Sequence, residues 1–155
     1  MTLDEQDHHY MRFALELAER AESEGEVPVG AVLVRDGRII GQGWNRPICQ
    51  HDPTAHAEIM TLRDAGRNEQ NYRLPDSTLY VTLEPCPMCA GAMVHARIKR
   101  LVFGAFDPRS GAVGSVFDLL PSDSRFNHFV DAEGGCMESD CAEKIRAFFQ
   151  SKRKS

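Results

Sequence analysis

Apolar and polar positions along this chain switch between two periods, and the switches mark out its elements. Met11, Ala14, Leu15, Ala18 and Ala21 recur at helical spacing, which with Asp7 as a cap and Gly25 as a stop predicts an amphipathic helix over 8–24. The nearly continuous apolar run 27–34 then reads as a buried strand with Pro28 at its start. Asp36-Gly37 suits the positive φ angles of a tight hairpin turn. A second strand over 38–44 therefore returns antiparallel and empties into the polar loop Asn45-Arg46-Pro47.

Asp52-Pro53 resembles an N-cap followed by proline at the first helical position. It predicts a helix over 54–65 that stops at Gly66, and a polar connection over 67–76. The β-branched stretch 78–83 is a third strand. Pro85 and Pro87 end it and open a helix over 87–96 whose small residues Ala90, Gly91 and Ala92 permit close packing. Residues 100–105 follow as a fourth strand, parallel to the third through a right-handed crossover. Beyond it come a glycine-containing loop over 106–115, a helical turn at 117–120 and a short fifth strand at 126–130. In the last helix Cys141, Ile145, Phe148 and Phe149 share one face. The expected fold is one α/β domain over residues 1–155, with five mixed strands and helices on both faces.

Composition narrows the setting. Of 155 residues, 42% are apolar and 26% charged, and no apolar run approaches the length of a membrane span. The five cysteines are an odd number without a secretion signal, which favours reduced or metal-bound thiols and a soluble protein of the cytoplasm. A net charge of −5 argues against broad, nonspecific nucleic-acid binding. The charge is uneven, however. Eight acidic residues stand against two basic ones before residue 27, whereas Lys144, Arg146, Lys152, Arg153 and Lys154 give a basic C-terminal segment that reads first as a solvated face or tail and, as the alternative, as a contact for phosphate.

Chemistry concentrates in Cys86-x-x-Cys89 and His56-x-Glu58. Two cysteines and one histidine make three soft ligands, the number a catalytic zinc uses while its fourth position stays open for water. Glu58 would then carry that water's protons. Side chains two apart on a regular helix diverge, so His56 and Glu58 can converge on one metal only near a frayed helix start. Cys86 and Cys89 fall at a helix N-terminus, where free amides and the dipole favour thiolates. A closed structural zinc completed by Cys49 or His51 is compatible with the same spacing, and a redox dithiol is the weaker rival. Cys136 and Cys141 read as packing.

His56-x-Glu58 with Pro85-Cys86-x-x-Cys89 is the zinc deaminase signature. More widely, Glu26-Val27-Pro28-Val29-Gly30-Ala31-Val32, Gly43-Trp44-Asn45-Arg46-Pro47, His51-Asp52-Pro53-Thr54-Ala55-His56-Ala57-Glu58 and the stretch from Tyr80 to Ala92 closely resemble the bacterial tRNA-specific adenosine deaminase family. The resemblance covers nearly the whole chain. It implies a three-layer cytidine deaminase-like fold, a homodimer, and zinc-hydroxide conversion of adenosine to inosine at the wobble position of an arginine tRNA anticodon, with release of ammonia. Carried over by residue, it implies that His56, Cys86 and Cys89 hold one zinc ion and that Glu58 moves the protons. By the same resemblance Asn45 contacts the flipped base, and Asp107 lies near the substrate nucleotide. One of the aromatic pair Phe148 and Phe149 touches the anticodon bases of the tRNA stem-loop, and Phe149 is taken as that residue. The rival functions are a zinc deaminase of a free guanine or cytosine base or nucleotide, and a zinc-stabilised RNA-binding module without catalysis.

Overall fold

The computed structural model describes residues 3–121 and 123–154, apart from the side chain of Lys154. Its elements run α1 (Glu5–Ser23), β1 (Gly30–Arg35), β2 (Arg38–Trp44), α2 (Pro47–Gln50), α3 (Ala57–Glu69), β3 (Thr78–Leu83), α4 (Pro87–Ala96), β4 (Arg100–Ala105), β5 (Asp131–Glu133) and α5 (Glu138–Lys154). The five strands form one sheet in the order β2-β1-β3-β4-β5. β1 pairs antiparallel with β2 and with β3, while β3, β4 and β5 are parallel to one another.

Period-2 alternation sorts the strand side chains into two layers. Ala31, Leu33, Leu79, Val81, Leu101 and Phe103 pack with the buried face of α3 and α4. Val32, Val34, Tyr80 and Val102 pack with Tyr10, Met11 and Ala14 of α1 and with Cys141 of α5. Helices thus cover both faces, and Cys136 and Cys141 are core residues as expected. Two reversals of direction, β2 to β1 and β1 to β3, leave β2 running the same way as β3 and β4. The loops after those three strands therefore emerge at one end of the sheet, and they carry the chemistry identified from sequence.

Several boundaries differ from expectation, each for a local reason. α1 is capped by Asp4, and Asp7 completes a reciprocal capping box from inside the helix. Asp7 is also 1% exposed and paired with Arg100 at the start of β4, a role that its cap-like position concealed. The predicted first strand begins at Gly30 because Val29 turns back to bond its N–H to the Val27 carbonyl. Asp52 does not cap a helix: its carboxylate accepts bonds from the Thr54 backbone and hydroxyl, closing a turn, and α3 starts three residues later. The helical turn at α2 was not anticipated. Residues 117–120 contain no helical turn, and Asp118 instead makes an isolated bridge to Val113. The fifth strand lies at Asp131–Glu133 rather than 126–130, because parallel register pairs Arg100 to Val102 with those residues.

Candidate active site

The site is assembled from three helix or strand ends. His56 is the N-cap of α3 with extended backbone, φ −69° and ψ 155°, so its ring is not committed to the helical direction. That geometry is the frayed start that convergence with Glu58 required. Asn45, at the end of β2, fixes it: the Asn45 Oδ1 accepts the Ala57 N–H at 2.8 Å, taking the place of a capping side chain. Opposite, Cys86 is the N-cap of α4 with Pro87 as the first helical residue, and Cys89 lies one turn inside and fully buried.

His56 Nδ1 lies 3.6 Å from Cys86 Sγ and 3.6 Å from Cys89 Sγ. Zinc bonds of about 2.0 Å to nitrogen and about 2.3 Å to sulfur at a tetrahedral angle put the two ligand atoms about 3.5 Å apart. The donor set and its spacing therefore fit one zinc ion. All three donor atoms lie within 4.8 Å of one another, and no further His, Cys, Asp or Glu joins that group among the described residues. Cys49 and His51, the residues that could have closed the site, are exposed, and the Cys49 sulfur takes an Arg46 Nη2 contact at 3.1 Å instead.

The protons of the cluster are shared unequally. A hydrogen bond with the Cys89 thiol holds Cys86 down to about 4, assisted by His56 and opposed by burial. Cys89 is pushed strongly upward by that same bond and by its burial. His56 is raised by its bond to Cys86. Cys86 is thus the ready thiolate, and a cation that engages Cys89 displaces a proton.

Glu58, in the first turn of α3, is 4% exposed and outside the three-donor group. Burial pushes its carboxyl up from 4.5 to about 7, with the charge of His56 pulling the other way. A carboxyl that titrates near neutrality can both take and give a proton, the property required of a general acid and base.

The other residues singled out from sequence fall as follows. Asp107 heads the loop after β4, and its carboxylate accepts from the Arg109 and Ser110 backbone N–H groups and the Ser110 hydroxyl, so it orders its own turn. On α5, Phe148 is 8% exposed and Phe149 is 41% exposed, which assigns the packing role to Phe148 and leaves Phe149 accessible. Neither is among the residues that frame the zinc cluster.

Two buried carboxylates were missed. Glu26, 1% exposed, accepts the Ile48 and Cys49 N–H groups and so holds the turn after Asn45. Glu84, 2% exposed, accepts backbone N–H groups from Asp107, Val113 and Ser115. The available signal was position: each acid borders an apolar strand segment without a basic neighbour to balance it.

A zinc-ready His-Cys-Cys cluster beside a buried glutamate, on a five-stranded mixed sheet with helices on both faces, defines a zinc-dependent deaminase. Residues 4–105 match the sequence model of the cytidine and deoxycytidylate deaminase zinc-binding region. The tRNA-specific adenosine deaminase of Haemophilus influenzae is 58% identical over 148 residues, covering 95% of this chain and 85% of that protein. That of Bacillus subtilis is 46% identical and covers 96% and 92% respectively. A structure solved in biochemical and structural studies of A-to-I editing by tRNA:A34 deaminases superposes with a TM-score of 0.84 at 48% identity, covering 88% of this chain and 98% of that one. Guanine deaminase from Nitrosomonas europaea shares the fold alone, with a TM-score of 0.76 at 23% identity over 91% of this chain and 83% of its own. The chain belongs to the tRNA-specific adenosine deaminase family: it is a hydrolytic deaminase with zinc as its cofactor.

Proposed function

We propose that this enzyme hydrolyses the exocyclic amine of adenosine at the wobble position of an arginine tRNA anticodon, giving inosine and ammonia. The observation that carries the reading is the Glu58 carboxyl, buried beside a three-donor cluster, in a chain 58% identical to a tRNA-specific adenosine deaminase. His56 Nδ1, Cys86 Sγ and Cys89 Sγ hold the zinc. Bound there, zinc supplies the Lewis acidity that brings the pKa of a water molecule toward about 7.

Glu58 takes the proton from the attacking water, passes it to the purine ring as C6 becomes tetrahedral, and assists departure of the amine as ammonia. Its burial keeps these transfers away from bulk solvent. Asn45 keeps His56 in place through Ala57, and since its oxygen is engaged there, the hydrogen bond it gives the flipped base comes from the NH2 side. Asp107 contacts the substrate nucleotide from the loop after β4. Phe149 stacks on a splayed anticodon base, and the basic residues of α5, among them Lys152 and Arg153, meet phosphate. The enzyme works in the cytoplasm as a homodimer, for which α4 offers an open small-residue surface at Gly91 beside the exposed Met88.

The test compares an anticodon stem-loop RNA with free adenosine, guanine and cytidine, using wild-type protein and Glu58→Gln. Inosine should form in the RNA with wild-type enzyme only, while both proteins bind one zinc. Deamination of free guanine without reaction of the RNA would overturn the substrate assignment, and zinc loss in Glu58→Gln would overturn the role of Glu58. Light scattering at micromolar concentration checks the dimer.

A further inference from the structure

Glu84 takes no part in the chemistry proposed above, yet it is among the most deeply buried charged residues of the chain. It follows β3 directly and precedes Pro85-Cys86, so it occupies the turn that delivers a zinc ligand. Its Oε1 accepts the Asp107 N–H at 3.0 Å, and its Oε2 accepts those of Val113 at 2.9 Å and Ser115 at 3.2 Å. The Ser115 hydroxyl also bonds to Oε1. Among the described residues no cation pairs with it, so the N–H groups and one hydroxyl of a single loop compensate the burial of this charge.

The loop is built to receive that carboxylate. A Cβ placed on Gly111 would collide with the Glu84 carboxyl carbon and both its oxygens, and these are the three nearest atoms it would meet. Gly111 is not among the positive-φ residues, so space for Glu84, and not backbone conformation, is what requires glycine there. The adjacent Ala112 N–H reaches the Pro85 carbonyl at 2.8 Å, tying the same loop to the residue before Cys86.

We propose that Glu84 is a positioning residue for substrate binding, whose buried carboxylate sets the 107–115 loop, and with it Asp107, against the zinc-ligand turn before RNA arrives. The inference rests on the assignment of Asp107 to the substrate nucleotide. A loop already ordered avoids the entropy of ordering it on binding, a saving realised equally in the ground and transition states. Losing Glu84 therefore raises KM and leaves kcat nearly unchanged.

Two variants test this. Glu84→Gln keeps the shape but must set an NH2 group against one of the N–H donors. Gly111→Ala leaves Glu84 in the chain and displaces its carboxylate. For the anticodon stem-loop, each should raise KM about tenfold, the effect of one lost charge-assisted hydrogen bond. The kcat per bound zinc should stay within about twofold. Because both act on one contact, Glu84→Gln with Gly111→Ala should be far less than additive. A fall in kcat per zinc at unchanged KM, or full additivity, overturns the inference.

Hydrogen exchange gives a readout independent of RNA. The amides of Asp107, Val113 and Ser115 should exchange at least about tenfold faster in Glu84→Gln, while those of α4 keep their protection. Unchanged exchange at those three amides overturns the positioning role even if the wild type is active. Wild-type inactivity on RNA, with exchange as expected, counts against the substrate assignment alone.

Discussion

Replacing Glu58 by Gln should stabilise the metal-stripped protein while abolishing its activity, and the gain should depend on pH. In the unfolded chain the Glu58 carboxyl ionises near 4.5, whereas in the fold burial holds it protonated until about pH 7. Below 4.5 both states carry the proton and no penalty exists. As pH rises from 4.5 to about 7 the unfolded chain releases its proton and the folded chain does not, so the folded state loses relative stability, and above about 7 the loss is complete. At about 1.4 kcal/mol per pH unit, that window corresponds to about 3 kcal/mol. Gln copies the protonated form and has nothing to lose. Urea denaturation of chelator-treated wild-type and variant protein should give similar stabilities at pH 4.5, the variant gaining about 3 kcal/mol by pH 7.5. His56 titrates in both proteins, and the largest causes of its shift, the Cys86 bond and burial, are common to them. A difference between the two proteins that stays constant to within about 1 kcal/mol across that range would refute the reasoning.

Four further variants test the fold and the proposed role of Phe149. Burial pushes the Asp7 carboxyl up, but bonds from Arg100, the Asp4 backbone and Tyr80 together hold it below 3.8; its stabilisation is thus present above 3.8 and lost as pH falls through the lower folded value. Asp7→Asn should cost about 3 kcal/mol in urea denaturation at pH 7 by leaving Arg100 without its partner, and should show a smaller further loss on acidification than wild type. Phe148→Ala should destabilise by about 3 kcal/mol because Phe148 is buried. Phe149→Ala should leave the melting temperature within a degree or two and weaken stem-loop binding by about 1 to 3 kcal/mol in a fluorescence titration; the reverse pattern would exchange their roles. Gly30→Ala should destabilise by at least about 1 to 3 kcal/mol, because the new methyl would strike the Ala14 carbonyl and the Ala18 amide of α1, both backbone.

The elements that positioned the site were legible where one physical signal acted alone. β3 and α4 fall at 78–83 and 87–96 as expected, since a β-branched strand, two prolines and a small-residue helix leave little competition. The His-Cys-Cys set was legible as a metal cluster from its residue types, while its spacing alone also admitted a closed zinc or a redox dithiol. Where two structures compete for the same chemistry, sequence misled: Asp4 and Asp7 both suit a cap, and Asp52 with Thr54 closes a turn with the same side-chain bonds that would start a helix. β5 depends on register with β4, a long-range pairing that its own residues do not announce. Glu26 and Glu84 were hidden for a related reason. A carboxylate compensated by backbone N–H groups has no charged partner to betray it.

The position at which inosine appears tests the proposed activity most directly. Full-length arginine tRNA with adenosine at the wobble position, incubated with zinc-loaded enzyme and sequenced for inosine, should be converted at that nucleotide, while the same tRNA with the adenosine moved to a neighbouring anticodon position should not. Conversion of neither RNA by enzyme that holds its zinc, or equal conversion at both positions, would contradict it.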